Sequence, residues 1–253
     1  ESLKKVQCEM GGKNAVILMA DADMDKALGG IVQGAFGSSG QRCTATSRVI
    51  VEESVYDRFM EELIARTRKV KIGDGLDADV VVGPLASKSQ FDTVRRYIGI
   101  GTEEGANLVY GGRALSGGVY DDGYYIEPTI FTDVDPEMRI AQEEIFGPVL
   151  TVFKAKDLDD AVATSNNVAF GLSSSIYTKD LTEAFRYVDT VEAGMVHINA
   201  PTLGGEVHLP FGGLKSSGAG HREQGVEAVE FFSEVITVYV DYAGTSRQQA
   251  KSI

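Results

Sequence analysis

The sequence is poor in cysteine, in histidine and in long apolar stretches, and each shortage excludes a class of protein. Two cysteines in 253 residues cannot form a disulfide framework, which favours a reducing, cytoplasmic setting. No run of about 18 apolar residues is present, so we expect no membrane-spanning helix. Residues 1–5 lack the apolar stretch of a signal peptide. His197, His208 and His221 are not spaced as metal ligands, so we predict no metal site.

Basic residues are also in deficit, with 24 Lys and Arg against 37 Asp and Glu and a net charge of −13. Such a balance disfavours nucleic acid and anionic membrane as partners. Nucleotide-binding motifs are missing as well. Gly218-Ala219-Gly220 lacks the third glycine of a dinucleotide fingerprint, and Gly12-Lys13 has no glycine at the upstream spacing of a phosphate loop. The sequence therefore shows no nucleotide-binding half of its own.

Strands and helices alternate in the second half of the chain. Val149–Phe153, Ser173–Tyr177 and Met195–Ile198 are predicted strands, and Asp157 and Asp180 are predicted caps of the intervening helices. This order predicts an α/β fold with an open, twisted, mostly parallel sheet and flanking helices.

Strands and helix caps are also predicted in the first half of the chain and at its carboxyl-terminal end. We predict strands at Ala15–Met19 and Arg48–Glu52 and two short strands within 106–125. Helix caps are predicted at Asp21 or Asp23, at Ser54 with Asp57, and at Ser87 with Gln90, and an apolar helix face is predicted at Leu181, Ala184, Phe185 and Val188. Val235–Val240 is predicted to be a terminal strand, paired either within its own sheet or with another subunit's sheet edge.

Cys43 lies in the string Gly40-Gln41-Arg42-Cys43, at the end of a Ser/Gly-rich loop between a predicted helix and a predicted strand. A thiol in such a loop is a candidate nucleophile, because a backbone amide or a cationic neighbour can lower its pKa. The alternative is that a lone cysteine is a small buried apolar residue.

Three further strings accompany that loop. In Cys8-Glu9-Met10-Gly11-Gly12-Lys13-Asn14, Glu9 is either a general base whose pKa is raised by desolvation or a surface residue at a strand end. Taken alone, Gln142-Glu143-Glu144-Ile145-Phe146-Gly147-Pro148 is a helix-to-strand connection. Pro210-Phe211-Gly212-Gly213-Leu214-Lys215-Ser216-Ser217-Gly218, taken alone, is only a loop.

Together and in this order, the four strings closely resemble the catalytic half of the aldehyde dehydrogenase superfamily. The resemblance covers residues 5–241 and includes the separation of 34 residues between Glu9 and Cys43. It implies that Cys43 is the nucleophile and Glu9 the general base. It further implies cofactor contacts by Glu144, to a ribose, and by Phe146, beside the nicotinamide. The implied substrate pocket contains Arg42, Thr44 and Phe211.

The resemblance implies oxidation of a small aldehyde to a carboxylic acid with NAD or NADP. The Cys43 thiolate attacks the aldehyde, its backbone amide helps to hold the alkoxide, and Glu9 activates the water that hydrolyses the thioester. Glutamate at this position favours hydrolysis over transfer to coenzyme A. Overall similarity leans towards small semialdehydes such as 2-oxoglutarate semialdehyde, with betaine aldehyde and others open.

The sequence departs from the family pattern because it begins eight residues before Glu9, without the family's cofactor domain. We expect a catalytic domain at 1–231, an oligomerisation strand at 232–242 that builds a homodimer or homotetramer, and a polar tail at 243–253. We expect that this chain alone neither binds NAD nor oxidises aldehydes. A non-catalytic assembly module and a weak thiol esterase are the alternative functions.

Overall fold

The computed structural model describes residues 3–240, and within them strands and helices alternate as in an α/β protein. The helices are α1 Met24–Phe36, α2 Tyr56–Thr67, α3 Lys88–Glu103, α4 Arg139–Gln142, α5 Leu158–Asn166, α6 Leu181–Thr190 and α7 Gly225–Phe231. The strands are β1 Cys8–Glu9, β2 Asn14–Leu18, β3 Thr46–Glu52, β4 Asn107–Tyr110, β5 Thr129–Thr132, β6 Val149–Ala155, β7 Phe170–Gly171, β8 Ser173–Tyr177, β9 Met195–Ile198, β10 Leu214–Lys215 and β11 Gly218–Ala219.

Seven strands form the main sheet in the order β4-β5-β6-β3-β2-β8-β9. Every neighbouring pair is parallel except β4 and β5. All five residues of β2 are buried, as expected for a central parallel strand that is covered on both faces. The predicted mostly parallel sheet is confirmed.

Side chains of the central strands alternate between two apolar clusters, one on each face of the sheet. Val16 and Leu18 of β2 belong to the cluster that includes residues of α1 and α2. Ala15 and Ile17 belong to the other cluster, which includes residues of α3 and α5. Complete burial of each large aliphatic side chain contributes about 1.5–3 kcal/mol, so both faces stabilise the sheet.

Most predicted helix caps are present, because each capping side chain accepts a hydrogen bond from an amide of the first turn. Asp23 accepts from the Lys26 amide at 3.1 Å, and Asp157 accepts from the Asp160 amide at 2.9 Å. Asp180 and Ser87 cap α6 and α3 in the same way. The other candidate for α1, Asp21, instead accepts from the Thr178 hydroxyl and the Lys179 amide.

The capping box predicted at Ser54 and Asp57 is wrong. A 3-10 turn at Glu53–Val55 precedes α2, which has no side-chain cap. The Ser54 hydroxyl donates to the Glu52 carboxylate at 3.1 Å, so it is not available to the helix.

Only one of the two strands predicted within 106–125 forms. A 3-10 turn at Gly118–Asp122 lies within the Gly-rich stretch after β4, and beyond it Tyr124 forms only an isolated antiparallel bridge with Leu85 instead of a strand. The antiparallel partner of β4 is therefore β5, which starts later, at Thr129.

The apolar face predicted for α6 is wrong at Leu181, Phe185 and Val188 and right only at Ala184. Leu181 and Phe185 are 70% and 58% exposed, whereas Ala184 and Tyr187 are buried. These two buried residues are three apart, so they share one face of the helix and pack it onto the protein.

The terminal run Val235–Val240 forms no strand within the described part of the chain. Val235 and Ile236 are 96% and 82% exposed, so pairing with this chain's own sheet is not observed. Pairing with another subunit stays a prediction, and residues 241–253, including the polar tail, lie outside the described residues. Among residues 3–240, no helix is long and apolar enough to cross a membrane.

Candidate active site

Three of the four sequence strings meet at the amino ends of neighbouring parallel strands. Glu9 precedes β2, Cys43 precedes β3, and Glu144–Gly147 precedes β6. Since β6, β3 and β2 are consecutive in the sheet, the three segments lie side by side. Open α/β sheets more often bind ligands at the carboxyl ends of their strands, so this site uses the opposite edge.

A tight turn brings Cys43 to this edge. After α1 the chain makes a 3-10 turn at Gly37–Gly40, in which Ser38, Ser39 and Gly40 all have positive φ. A Cβ on Gly40 would lie 2.3 Å from the Gly147 carbonyl oxygen, so the close approach of the Cys43 and Phe146 loops requires glycine here.

Two buried side chains hold the Cys43 loop from beneath. The Asn14 amide nitrogen donates to the carbonyls of Cys43 at 2.7 Å and Ala45 at 2.8 Å. The Thr202 hydroxyl donates to the Thr44 carbonyl at 2.7 Å. Sequence reasoning missed both residues as supports of the loop, because their partners are 29 to 158 positions away in the chain.

Opposing effects act on the pKa of the Cys43 thiol. Burial raises this pKa, and the nearby Glu9 carboxylate raises it further, while hydrogen bonds from the amides of Thr44 and Cys43 lower it. The outcome is a raised pKa, so the expectation of a lowered one is wrong for this structure. The expected cationic neighbour, Arg42, is exposed and donates to the Ser38 hydroxyl at 3.1 Å.

Glu9 is placed by backbone pairing with the fourth sequence string. It pairs with Gly218 across β1 and β11, and the next amide, Met10, donates to the Ser217 carbonyl at 3.0 Å. Burial raises the pKa of Glu9, as predicted, and the carboxylates of Glu223 and Glu144 add to the effect. Its buried Oε1 has no hydrogen-bond partner among the described residues.

Glu144 lies against the glycine turn that follows Glu9. Its Oε1 accepts from the Gly12 amide at 2.9 Å, and a Cβ on Gly11 would lie 2.3 Å from its Oε2. Burial raises the pKa of Glu144. The preceding Glu143 has the opposite environment, since Arg139 binds it and lowers its pKa to about 2.

Lys13 is a buried cation between these segments. Its ammonium group donates to the Glu143 carbonyl at 2.7 Å, and the residue is only 2% exposed. Burial, and then the charge of Arg48, lower the pKa of Lys13 to about 7. The lysine thus ties the segment before β6 to the segment before β2.

Phe146 presents its ring at the surface from a constrained backbone. Its φ of 56° is in the left-handed region, which costs a non-glycine residue about 1–2 kcal/mol. The Gln90 amide compensates by donating to the carbonyls of Ile145 at 2.8 Å and Phe146 at 2.9 Å. Sequence reasoning identified Gln90 only as part of a helix cap.

The three predicted substrate residues are not equivalent in the structure. Arg42 lines a cavity of about 20 Å³ together with Glu144 and Phe146. Thr44 and Phe211 do not line this cavity, and neither do Cys43 and Glu9. Thr44 is a buried residue of the Cys43 loop itself. Phe211 is half-buried and forms an antiparallel bridge with Glu223, which brings that carboxylate near Glu9.

Comparison with known proteins identifies the family of this chain. The sequence profile of the aldehyde dehydrogenase family matches residues 1–238. The chain belongs to the aldehyde dehydrogenase family. It is 49% identical over 236 residues to alpha-ketoglutaric semialdehyde dehydrogenase of Bacillus subtilis, which covers 93% of this chain and 48% of the relative. It is 45% identical over 241 residues to betaine aldehyde dehydrogenase of Brucella anthropi, covering 95% of this chain and 49% of that relative.

Solved aldehyde dehydrogenase structures share the fold. An NAD-dependent aldehyde dehydrogenase from Sinorhizobium meliloti superposes with a TM-score of 0.89 at 38% identity, covering 96% of this chain and 47% of that structure. Betaine aldehyde dehydrogenase from Staphylococcus aureus, in complex with NAD⁺, superposes with a TM-score of 0.86 at 37% identity, covering 88% and 44%. The chain spans about half the length of the relatives it matches.

The side chains before β6 suit the nicotinamide cofactor of this aldehyde dehydrogenase family. Glu144 offers a carboxylate, which accepts hydrogen bonds of the kind that ribose hydroxyls donate. The ring of Phe146 is 38% exposed at the same edge, where it offers a flat apolar surface. The absence of a Cβ at Gly11 leaves the space that the Glu144 carboxylate occupies.

Proposed function

We propose that this chain supplies the catalytic half of an NAD- or NADP-dependent aldehyde dehydrogenase, with Cys43 as nucleophile and Glu9 as general base. One observation carries the proposal. A thiol and a carboxylate that are 34 residues apart in sequence meet at one sheet edge, where the Glu9 charge acts directly on the Cys43 thiol.

The proposed reaction uses each residue once. The Cys43 thiol first gives its proton to solvent, and the thiolate sulfur forms a bond to the aldehyde carbon as the carbonyl π bond breaks. The developing alkoxide is held by the backbone amide of Cys43. When bound, NAD or NADP would supply the hydride acceptor that oxidation of this adduct to a thioester requires. Glu9 then takes a proton from water, the resulting hydroxide attacks the thioester carbon, and the carboxylic acid leaves as the thiol is restored.

Glu144 and Phe146 are the residues that we propose to hold the cofactor, by a ribose hydroxyl contact and by packing beside the nicotinamide. They offer one carboxylate and one ring, which is a small part of the surface of a dinucleotide. We therefore propose that the 253-residue chain by itself neither binds NAD measurably nor oxidises aldehydes.

The proposed substrate is a small semialdehyde such as 2-oxoglutarate semialdehyde. Two supports are the name of the 49% identical relative and the exposed guanidinium of Arg42, beside Cys43, which suits a substrate carboxylate. Betaine aldehyde is the second candidate, because the carboxylates of Glu9 and Glu144 place negative charge near the thiol. Arg42→Gln is expected to lower kcat/KM at least tenfold, about 1.4 kcal/mol, for the semialdehyde but not for betaine aldehyde.

We further propose that the parent enzyme is cytoplasmic and assembles as a homodimer or homotetramer through residues 232–242. Analytical ultracentrifugation of the enzyme with and without that segment tests the assembly. A truncated enzyme that sediments as the same oligomer would contradict the proposal.

The decisive test uses Cys43→Ser in the enzyme joined to a cofactor domain. Loss of the nucleophile should reduce aldehyde-dependent NADH formation by more than about 1000-fold, because every later step requires the covalent bond. The matched control is Cys8→Ser, since Cys8 is an exposed free cysteine. Unchanged turnover in Cys43→Ser would reject the enzyme mechanism and favour a non-catalytic assembly role.

A further inference from the structure

The side chain of Asn14 completes the pairing between two strands where the backbone ladder fails. The parallel pairing of β2 with β3 is irregular between Asn14 and Ala15, and β3 itself begins only at Thr46. Beyond that point the Asn14 amide reaches the carbonyls of Ala45 and Cys43. A side chain thus extends the hydrogen bonding of the sheet into the Cys43 loop.

Every partner of Asn14 fixes the orientation of its amide group. The two carbonyls require a donor, and the Ser173 amide, which donates to Asn14 Oδ1 at 3.0 Å, requires an acceptor. Asn14 is 3% exposed, so water does not replace these contacts. Both N–H groups of the Asn14 side-chain amide donate to these carbonyls, so the amide has only one orientation that satisfies all its partners.

The carbonyl of Cys43 and the amide of Thr44 are opposite ends of the same planar trans peptide group. Asn14 holds the oxygen end at 2.7 Å. The nitrogen end of the same peptide points the opposite way, and a hydrogen bond from the Thr44 amide lowers the pKa of the Cys43 thiol. Holding the oxygen also polarises the peptide, which strengthens its N–H as a donor.

We infer that Asn14 is a positioning residue that aims the Thr44 amide at the Cys43 thiolate and so sets the reactivity of the nucleophile. The inference rests on the proposed role of Cys43. It assigns Asn14 no contact with substrate or cofactor, and it acts only through the peptide between Cys43 and Thr44.

The test measures the reactivity of Cys43, which requires neither aldehyde nor cofactor. In a Cys8→Ser background, Cys43 is the single thiol, and its rate of alkylation by iodoacetamide is followed from about pH 6 to 10 by mass spectrometry. Asn14→Leu has a similar size but no donor. Asn14→Asp keeps the acceptor for the Ser173 amide but replaces the donating nitrogen with oxygen.

Both variants should raise the apparent pKa of Cys43 by about one unit and slow its alkylation at neutral pH about 3- to 10-fold. A rise of one unit lowers the fraction of thiolate at neutral pH about tenfold. The expected slowing of alkylation is smaller than that, because a more basic thiolate is a better nucleophile. The matched control is Ser174→Ala, which removes a buried hydrogen bond from the Ser174 hydroxyl to the Ala15 carbonyl in the same sheet. It should leave the titration of Cys43 unchanged.

A folded Asn14 variant with lower thermal stability but an unchanged Cys43 titration would overturn the inference and leave Asn14 with a structural role. If neither variant folds, NMR of the unsubstituted chain decides, because the signals of the Thr44 amide and the Asn14 side-chain amide should follow the thiol titration. No response would again overturn it. Failure of the proposed function is distinguishable, because it would show as an active Cys43→Ser enzyme.

Discussion

The Cys43 loop and the Glu9 strand lie at the same edge of the sheet but are held by different means. Buried side chains, chiefly Asn14 and Thr202, bind the carbonyls of the loop around Cys43. Glu9 belongs to a two-residue strand fixed by backbone pairing, and its own Oε1 is without a partner among the described residues. The Cys43 loop is therefore fixed by several hydrogen bonds, whereas the Glu9 carboxylate, the proposed base, keeps a buried oxygen without a partner among the described residues.

Glu9→Gln should remove the proposed general base while leaving the Cys43 thiol in place. Its expected effect is the largest of the three variants. Glutamine cannot take a proton from water, so hydrolysis of the thioester should slow about 100- to 10,000-fold. In the enzyme with its cofactor domain, an acyl group should accumulate on Cys43 and be visible by mass spectrometry after a burst of NADH. Slow turnover without an acylated Cys43 would show that Glu9 acts before the thioester forms.

Thr202→Val should weaken the support of the loop without touching the base. Thr202 is fully buried and donates to the Thr44 carbonyl. It must also accept from the Thr46 hydroxyl at 2.8 Å, because its own proton is already committed. Valine leaves both partners unsatisfied, so urea denaturation should show a loss of about 1–3 kcal/mol in the free energy of unfolding.

The control for Thr202→Val is Thr182→Val, at a position near the start of α6 that is exposed. It should change the free energy of unfolding by less than about 0.5 kcal/mol. Equal losses in the two variants would mean that the buried hydroxyl contributes nothing specific to the Cys43 loop.

Glu223→Gln should lower the pKa of Glu9 slightly and leave the Cys43 loop unchanged. Burial raises the pKa of Glu9 first, and repulsion by Glu223 raises it second. Without that repulsion, ionisation of Glu9 becomes easier and its pKa falls. The acid limb of the pH–rate profile for deacylation should therefore move to lower pH. A shift to higher pH, or none, would contradict the proximity of the two carboxylates.

Local sequence patterns predicted most of the helices and strands, because helix caps and the apolar runs of strands depend on residues close together in sequence. Asp23 and Asp157 cap helices through amides three positions away. Local patterns failed where a competing partner was nearer, as when Ser54 donates to Glu52. They failed again at α6, where tertiary packing buries Ala184 and Tyr187 but leaves Phe185 exposed.

The four strings identified Cys43, Glu9, Glu144 and Phe146 as one candidate site through their resemblance to a family. The structure brings three of these strings to the same edge of the sheet, and the roles of the four residues stay predictions. Asn14 was missed because a lone asparagine after a glycine turn carries no local signal of a carbonyl partner 29 residues away. The partner of its Oδ1, the Ser173 amide, is 159 residues away.

These separations have a consequence for biosynthesis. Cys43 leaves the ribosome long before Ser173 and Thr202, which complete the hydrogen bonds around its loop. Until the chain has folded, the Cys43 thiol lacks the burial and the nearby Glu9 charge that raise its pKa in the folded chain. The unfinished polypeptide therefore carries a more readily ionised and less protected thiol than the finished one. Pulsed alkylation during translation would report the moment at which the last supporting residue takes its place.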